Sequence, residues 1–157
     1  MKKRIIALLL TTVLTIICMP ITVSAEGSTT VSTTTVYYAD GSYGVITVTE
    51  VETIDKATKS GSKQYDHYDA TNNKVWTYTI TGVYSYNGST SSCTSVSDSY
   101  NIINSNWHVD SHSCWKSGNT AYGTITVKHK VLGVTINTVT QSLSLSCSAN
   151  ESILEFV

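Results

Sequence analysis

The sequence predicts an all-β domain, an antiparallel β-sandwich of about eight strands in two meanders, and three observations carry that prediction. Apolar and polar residues alternate through most of the chain after residue 30. Ser, Thr and Tyr dominate the same region, and the single proline stands at position 20, ahead of it. Such β-branched, hydroxylated and aromatic residues pack well on pleated surfaces and support helices poorly. Short clusters of Gly, Asn, Asp and Ser punctuate the alternation at the spacing of hairpin turns.

Taken in order, the strands are expected near 31–38, 43–54, 62–70, 74–86, 92–102, 106–116, 120–131 and 134–147. The first is a Val and Thr run, "VSTTTVYY", closed by "ADGS"; the second, "YGVITVTEVETI", ends before "KATKSG". The third, "SKQYDHYDA", turns at "ATNN" into the fourth, "KVWTYTITGVYSY". That fourth strand sets Trp76, Tyr78, Ile80, Tyr84 and Tyr86 on one face and Thr77, Thr79, Thr81 and Ser85 on the other. A loop at 87–91 then divides the strands into two runs of four. In the second run, "INSN", "SGN" and "LG" separate strands whose inward residues include Trp107, Ile125, Val127, Leu143 and Leu145. Connections this short make sequence neighbours antiparallel neighbours in space. Two meanders bury their apolar faces against each other as a sandwich, the closed β-barrel being the alternative.

Residues 1–25 have the anatomy of a signal peptide: "MKKR", an apolar run "IIALLLTTVLTII", and "VSA" before Glu26. Ile17 before Cys18 does not suit a lipid anchor. Residues 26–157 form a single domain, with 26–33 as a loose edge or leader. The expected address is therefore extracellular. Beyond residue 25 the chain keeps seven lysines against eleven acidic residues, which argues against nucleic acid as a partner. No segment reaches the ~20 apolar residues of a membrane-spanning helix.

The stretch "NWHVDSHSCWK" places His108, Asp110, His112 and Cys114 at alternate positions, the spacing of metal ligands along one face of a strand. Alternate side chains stand ~6.6 Å apart, so one zinc ion reaches two adjacent members of the row and not three. Pairing Lys116 with Thr120 across the "SGN" turn puts Lys128, Thr126, Thr124 and Tyr122 opposite the four, and supplies no further ligand. The row is accordingly expected to be a solvated face, with Trp107, Val109 and Trp115 turned inward. No metal or other cofactor is expected.

An exported chain meets oxidising conditions, so Cys93, Cys114 and Cys147 should form one disulfide and leave one thiol over. Topology brings all three to one end and permits every pairing. The segment "GNTAYGTITVKHKVLGVTINTVTQSLSLSCSAN", with "SCTSVSDSYNI" before it, resembles the C-terminal half of small, uncharacterised secreted proteins of Gram-positive gut bacteria. The resemblance implies a Cys93–Cys147 bond and implies no activity; a Cys93–Cys114 bond, also within geometric reach, is the alternative. The Cys93–Cys147 pairing leaves Cys114 free to link a second chain as a disulfide-bonded dimer. The spacing Cys93, Trp107, Cys147 also resembles an immunoglobulin-type domain. Only two strands fit between Trp107 and Cys147, however, and Leu145 stands where that family places a tyrosine. The likeness is architectural analogy alone.

Exposed, the aromatic stripe of Trp76, Tyr78, Tyr84 and Tyr86 would bind ligands such as sugar rings; buried, it is the core of a central strand. Tyr65 and Tyr68, three apart, point to opposite faces. No Gly-x-Ser-x-Gly elbow occurs, and Cys114 and His112 lack an evident orienting third group. The alternation in "TINTVTQSLSLS" is shared by pore-forming hairpins and by soluble sandwiches. The sequence thus points to a secreted, non-catalytic binding module whose partner is an extracellular protein or a glycan. A secreted enzyme with a site assembled from loops, and a membrane-active β-protein, are the alternatives.

Overall fold

A computed structural model describes residues 27–51, 58–149 and 153–154. The expected signal peptide, Cys18 and the far end of the second strand lie outside the described residues. Nine strands follow in order: β1 (Ser28–Tyr37), β2 (Tyr43–Val51), β3 (Thr58–Tyr68), β4 (Lys74–Tyr86), β5 (Ser91–Ile102), β6 (Trp107–Ser117), β7 (Thr120–Val131), β8 (Val134–Cys147) and β9 (Ile153–Leu154). They form a five-stranded sheet, β1-β2-β3-β4-β5, and a four-stranded sheet, β6-β7-β8-β9, both antiparallel meanders. The two pack as an open sandwich and do not close into a barrel.

The sheets divide at a different loop from the one expected. Asn87–Thr90 is a hairpin turn, in which the Asn87 side chain accepts from the amides of Ser89 and Thr90, so β5 stays on β4. Among the described residues the chain crosses between sheets only at 103–106, where Ile103 and Asn104 amides both donate to the Val75 carbonyl. Residues Ser28 onward, expected as a loose edge, pair with β2 along its whole length and carry a bulge between Thr30 and Ser32. A bulged, Thr-rich edge is a poor template for pairing with another chain.

The core lies between the sheets. From the larger sheet, Val48, Tyr65, Trp76, Tyr78, Ile80 and Tyr84 are fully buried. Opposite them stand Ala121, Ile125, Val127, Leu145 and Cys147. The aromatic stripe of β4 is therefore core: Trp76, Tyr78 and Tyr84 offer water no surface, and Tyr86 is half-buried. Full burial of such a ring contributes about 2–3 kcal/mol each, which makes β4 the spine of the molecule. Its phenols are satisfied internally, Tyr84 donating to the Leu145 carbonyl at 2.6 Å.

Candidate functional site

The stretch with the chemistry-bearing residues, β6, does not keep the expected parity. Val109 pairs with Val127 as anticipated, but Ser111 pairs with Thr126, so Asp110 is an extra residue bulged out of the ladder. Every side chain beyond it changes face. His112 now stands opposite Ile125 and Cys114 opposite Gly123, on the inner side, while Trp115 stands opposite Tyr122 on the outer side. His108 and Asp110 remain in water, with Lys128 bound to Asp110 at 2.6 Å. The expectation of one solvated row is thus corrected: the bulge splits it.

β5 and β6 are the edge strands of the two sheets and face each other across the sandwich. Asp98 of β5 pairs with Ile80 and so points into this seam. Its Oδ2 accepts from His112 Nδ1 at 2.8 Å and from the Tyr78 hydroxyl at 3.1 Å. The Tyr78 hydroxyl also lies 3.3 Å from the carbonyls of Ser113 and Thr124, so its single proton has an acceptor on each wall of the seam. Gly123 makes room for it: a Cβ there would overlap Ile80 and the Tyr78 hydroxyl. Tyr100 covers the outer side of the His112 ring, edge-on at 4.9 Å.

Electrostatics decide what this cluster can do. Burial pushes the Asp98 carboxyl up, but hydrogen bonds from His112 and Tyr78 outweigh it and hold the group below the ordinary carboxylate range. Cys114 is pushed the other way, above an ordinary thiol, first by burial and then by the Asp98 charge. A nucleophilic cysteine needs a cation or a base that favours its thiolate. Cys114 instead faces an anion, and His112 has turned its Nδ1 to that same anion. Among the described residues no group of three or more His, Cys, Asp or Glu is placed to hold a metal ion.

The cysteines among the described residues are unbridged. Cys93, Cys114 and Cys147 are all free thiols, which overturns both expected pairings and the disulfide-linked dimer. The reason lies in where each sulfur points. A bulge at Thr94 sets Cys93 opposite Tyr84, with its thiol on the Ser95 carbonyl at 3.3 Å. The Cys147 thiol turns to the Ser148 carbonyl at 3.4 Å, and Cys114 turns inward to Asp98 rather than outward to a second chain. Burial of Cys93 raises its pKa as well, so it too stays a thiol.

His67 belongs to a second buried group. It stacks on Trp76 at 5.1 Å and meets the edge of Trp107 at 5.3 Å. Its Nδ1 bonds the Tyr65 hydroxyl, which in turn bonds Tyr38, both at 2.9 Å. Burial holds His67 below the ordinary histidine pKa, so the imidazole is neutral. A cleft of about 310 Å³ between His67, Tyr38, Asp40 and the Asn137–Thr140 stretch of β8 opens onto this group.

The outer face of the five-stranded sheet carries what the sequence analysis missed. Tyr37, Tyr43, Tyr68 and Lys74 are successive cross-strand partners on β1 to β4. Tyr43 and Tyr68 stack in parallel at 4.7 Å, Tyr37 leans on Tyr43 at 5.8 Å, and the Lys74 ammonium caps the Tyr68 ring at 5.5 Å. Lys74 also binds Asp66 at 2.6 Å, and Gln64 bonds Asp66 at 2.9 Å. Tyr37 is 78 % exposed. A signal for the row existed: "YYADGSY" is a short hairpin turn flanked by tyrosines. On the other sheet Trp115 stacks on Tyr122 at 5.5 Å and remains 47 % exposed. No helix among the described residues is long and apolar enough to cross a membrane. Searches against protein-family models, curated proteins and solved structures find no match to this chain.

Proposed function

We propose that this chain is an exported binding module that recognises a glycan on the outer face of its five-stranded sheet. The all-β sandwich is consistent with a non-catalytic module, and one observation carries the finer reading: the row Tyr37–Tyr43–Tyr68–Lys74. These rings contribute nothing to the core between the sheets, yet they are held in register across three strands, with Lys74 of a fourth capping the last. Rigid tyrosines supply contact area at small conformational cost, with a hydroxyl at each tip. The free face of Tyr37 suits the apolar face of a sugar ring. Asp66, Lys74 and Gln64 beside the row suit its hydroxyls. The signal-like anatomy of residues 1–25 supports export.

An array of immobilised bacterial cell-wall polysaccharides and mucin-type glycans tests the proposal. The wild-type protein should bind a subset of them. Tyr37→Ala, at an exposed position, should keep the fold and weaken binding about tenfold, the loss expected for one stacked ring. Trp115→Ala, on the other sheet, should change nothing. Binding that survives Tyr37→Ala intact, or no glycan bound at all, contradicts it.

A further inference from the structure

The β7–β8 hairpin runs past the body of the sandwich. β6 pairs with β7 only as far as His129, and every residue from 131 to 138 is exposed. At its end stand Val131, Leu132, Val134 and Ile136, with Leu132 100 % exposed. The two-residue turn between Val131 and Val134 has φ of 50° at Leu132 and 80° at Gly133. Turns with two positive φ angles favour Asn-Gly, because an ordinary side chain at the first position is strained. Leu132 therefore carries a backbone cost and an exposure cost, and the fold rewards neither. Its value must lie in something outside the molecule.

The shape of the tip restricts what that is. Apolar groups lie on both strands and at the turn between them, so a flat protein face would cover only part of them. A medium that closes round the tip covers all. Behind the apolar residues on β7 come Lys130 and Lys128, ~7 Å and ~13 Å from Leu132 along the strand. His108 pairs opposite Lys128, and Asp110 partners its ammonium. Two of the seven lysines beyond residue 25 thus stand behind this one tip in a chain of negative net charge.

We propose that the hairpin tip inserts shallowly into the interface of a phospholipid bilayer with anionic headgroups, placing Lys130 and Lys128 at the level of the phosphates. Long cationic side chains reach such a level readily while apolar neighbours enter the acyl boundary. Insertion stops there. The turn's own backbone groups need water or headgroups as partners, and Asp40, beside Asn137 and Thr138, is an ionised carboxylate held low by its hydrogen bonds from Ser42. This surface is separate from the tyrosine row, so the two proposals stand or fall independently.

Co-sedimentation with vesicles tests it, using phosphatidylcholine alone and phosphatidylcholine with phosphatidylglycerol in equal parts. The wild type should bind the mixed vesicles. Leu132→Asn, which suits the positive φ, should keep or raise the melting temperature and weaken binding at least about tenfold. Val134→Thr, a strand-compatible change, should weaken it in the same direction, and Lys130→Ser should weaken binding to the mixed vesicles alone. Failure of the wild type to bind either vesicle, or binding left unchanged by Leu132→Asn and Val134→Thr, overturns the proposal.

Discussion

At the scale of single residues, Asp98 is the group on which most depends. One carboxylate oxygen receives both His112 and Tyr78, and so ties β5, β6 and β4 together. Asp98→Asn keeps the shape but trades a charged acceptor for a neutral one, and should cost about 1–2 kcal/mol in chemical denaturation. Gly123→Ala should cost about 1–3 kcal/mol by overpacking, since the added methyl falls on Ile80 and the Tyr78 hydroxyl. His67 makes stability pH-dependent with a definite sign. Its folded pKa is depressed by burial, so below about pH 6.5 the unfolded chain binds a proton that the folded chain resists. Its contribution is complete above that pH and is lost as pH falls toward the folded value. The melting temperature of the wild type should therefore fall more steeply between about pH 6.5 and 5 than that of His67→Gln. Equal slopes would show that His67 is not the group responsible.

At the scale of the element, β6 shows where the sequence stops being legible. Alternation through "WHVDSHSCWK" is unbroken, so nothing in the pattern marks the bulge. Tertiary pairing fixes it: shifting the strand at Asp110 brings His112 to Asp98 and stacks Trp115 on Tyr122. Either gain is invisible until the facing strand is known. β4 is the opposite case, because a stripe of large aromatics opposed by hydroxyls describes a half-buried strand whatever its neighbours are. Deleting Asp110 would remove only the extra residue: Val109 keeps Val127, Ser111 keeps Thr126, and His112 and Trp115 keep their faces. The deletion variant should therefore stay folded, losing no more than about 1 kcal/mol with the exposed Asp110–Lys128 pair in urea denaturation. A loss of about 3 kcal/mol or more would place the extra residue elsewhere.

At the scale of the whole molecule, composition and alternation were enough for the sandwich and for antiparallel meanders. They were not enough for the division between sheets. Residues 87–90 and 103–106 are equally short and polar, and only the pairing of β5 with β4 distinguishes a hairpin turn from a crossover. The same blindness hid the tyrosine row, whose members sit on three strands and meet only across them. Cysteine number proved a poor guide, because side-chain direction rather than spacing sets which sulfurs can meet. What results is a sandwich closed along the β5–β6 seam. There Lys116 donates to the carbonyls of Cys93 and Thr94, and Asp98 anchors His112. Titratable groups that resemble a catalytic set thus serve as a clasp.

The structural role of the clasp can be measured at Cys114. Alkylation of the reduced protein with iodoacetamide, followed at the Cys114 peptide by mass spectrometry across pH, reports the thiol directly. The rate should still be climbing at the ordinary thiol value of 9.0, because burial and the Asp98 charge hold the proton on, and Asp98→Asn should move the midpoint to lower pH. A rate already at its plateau near about pH 7, and abolished by His112→Ala, would identify an activated thiolate and contradict the assignment of this cluster to structure.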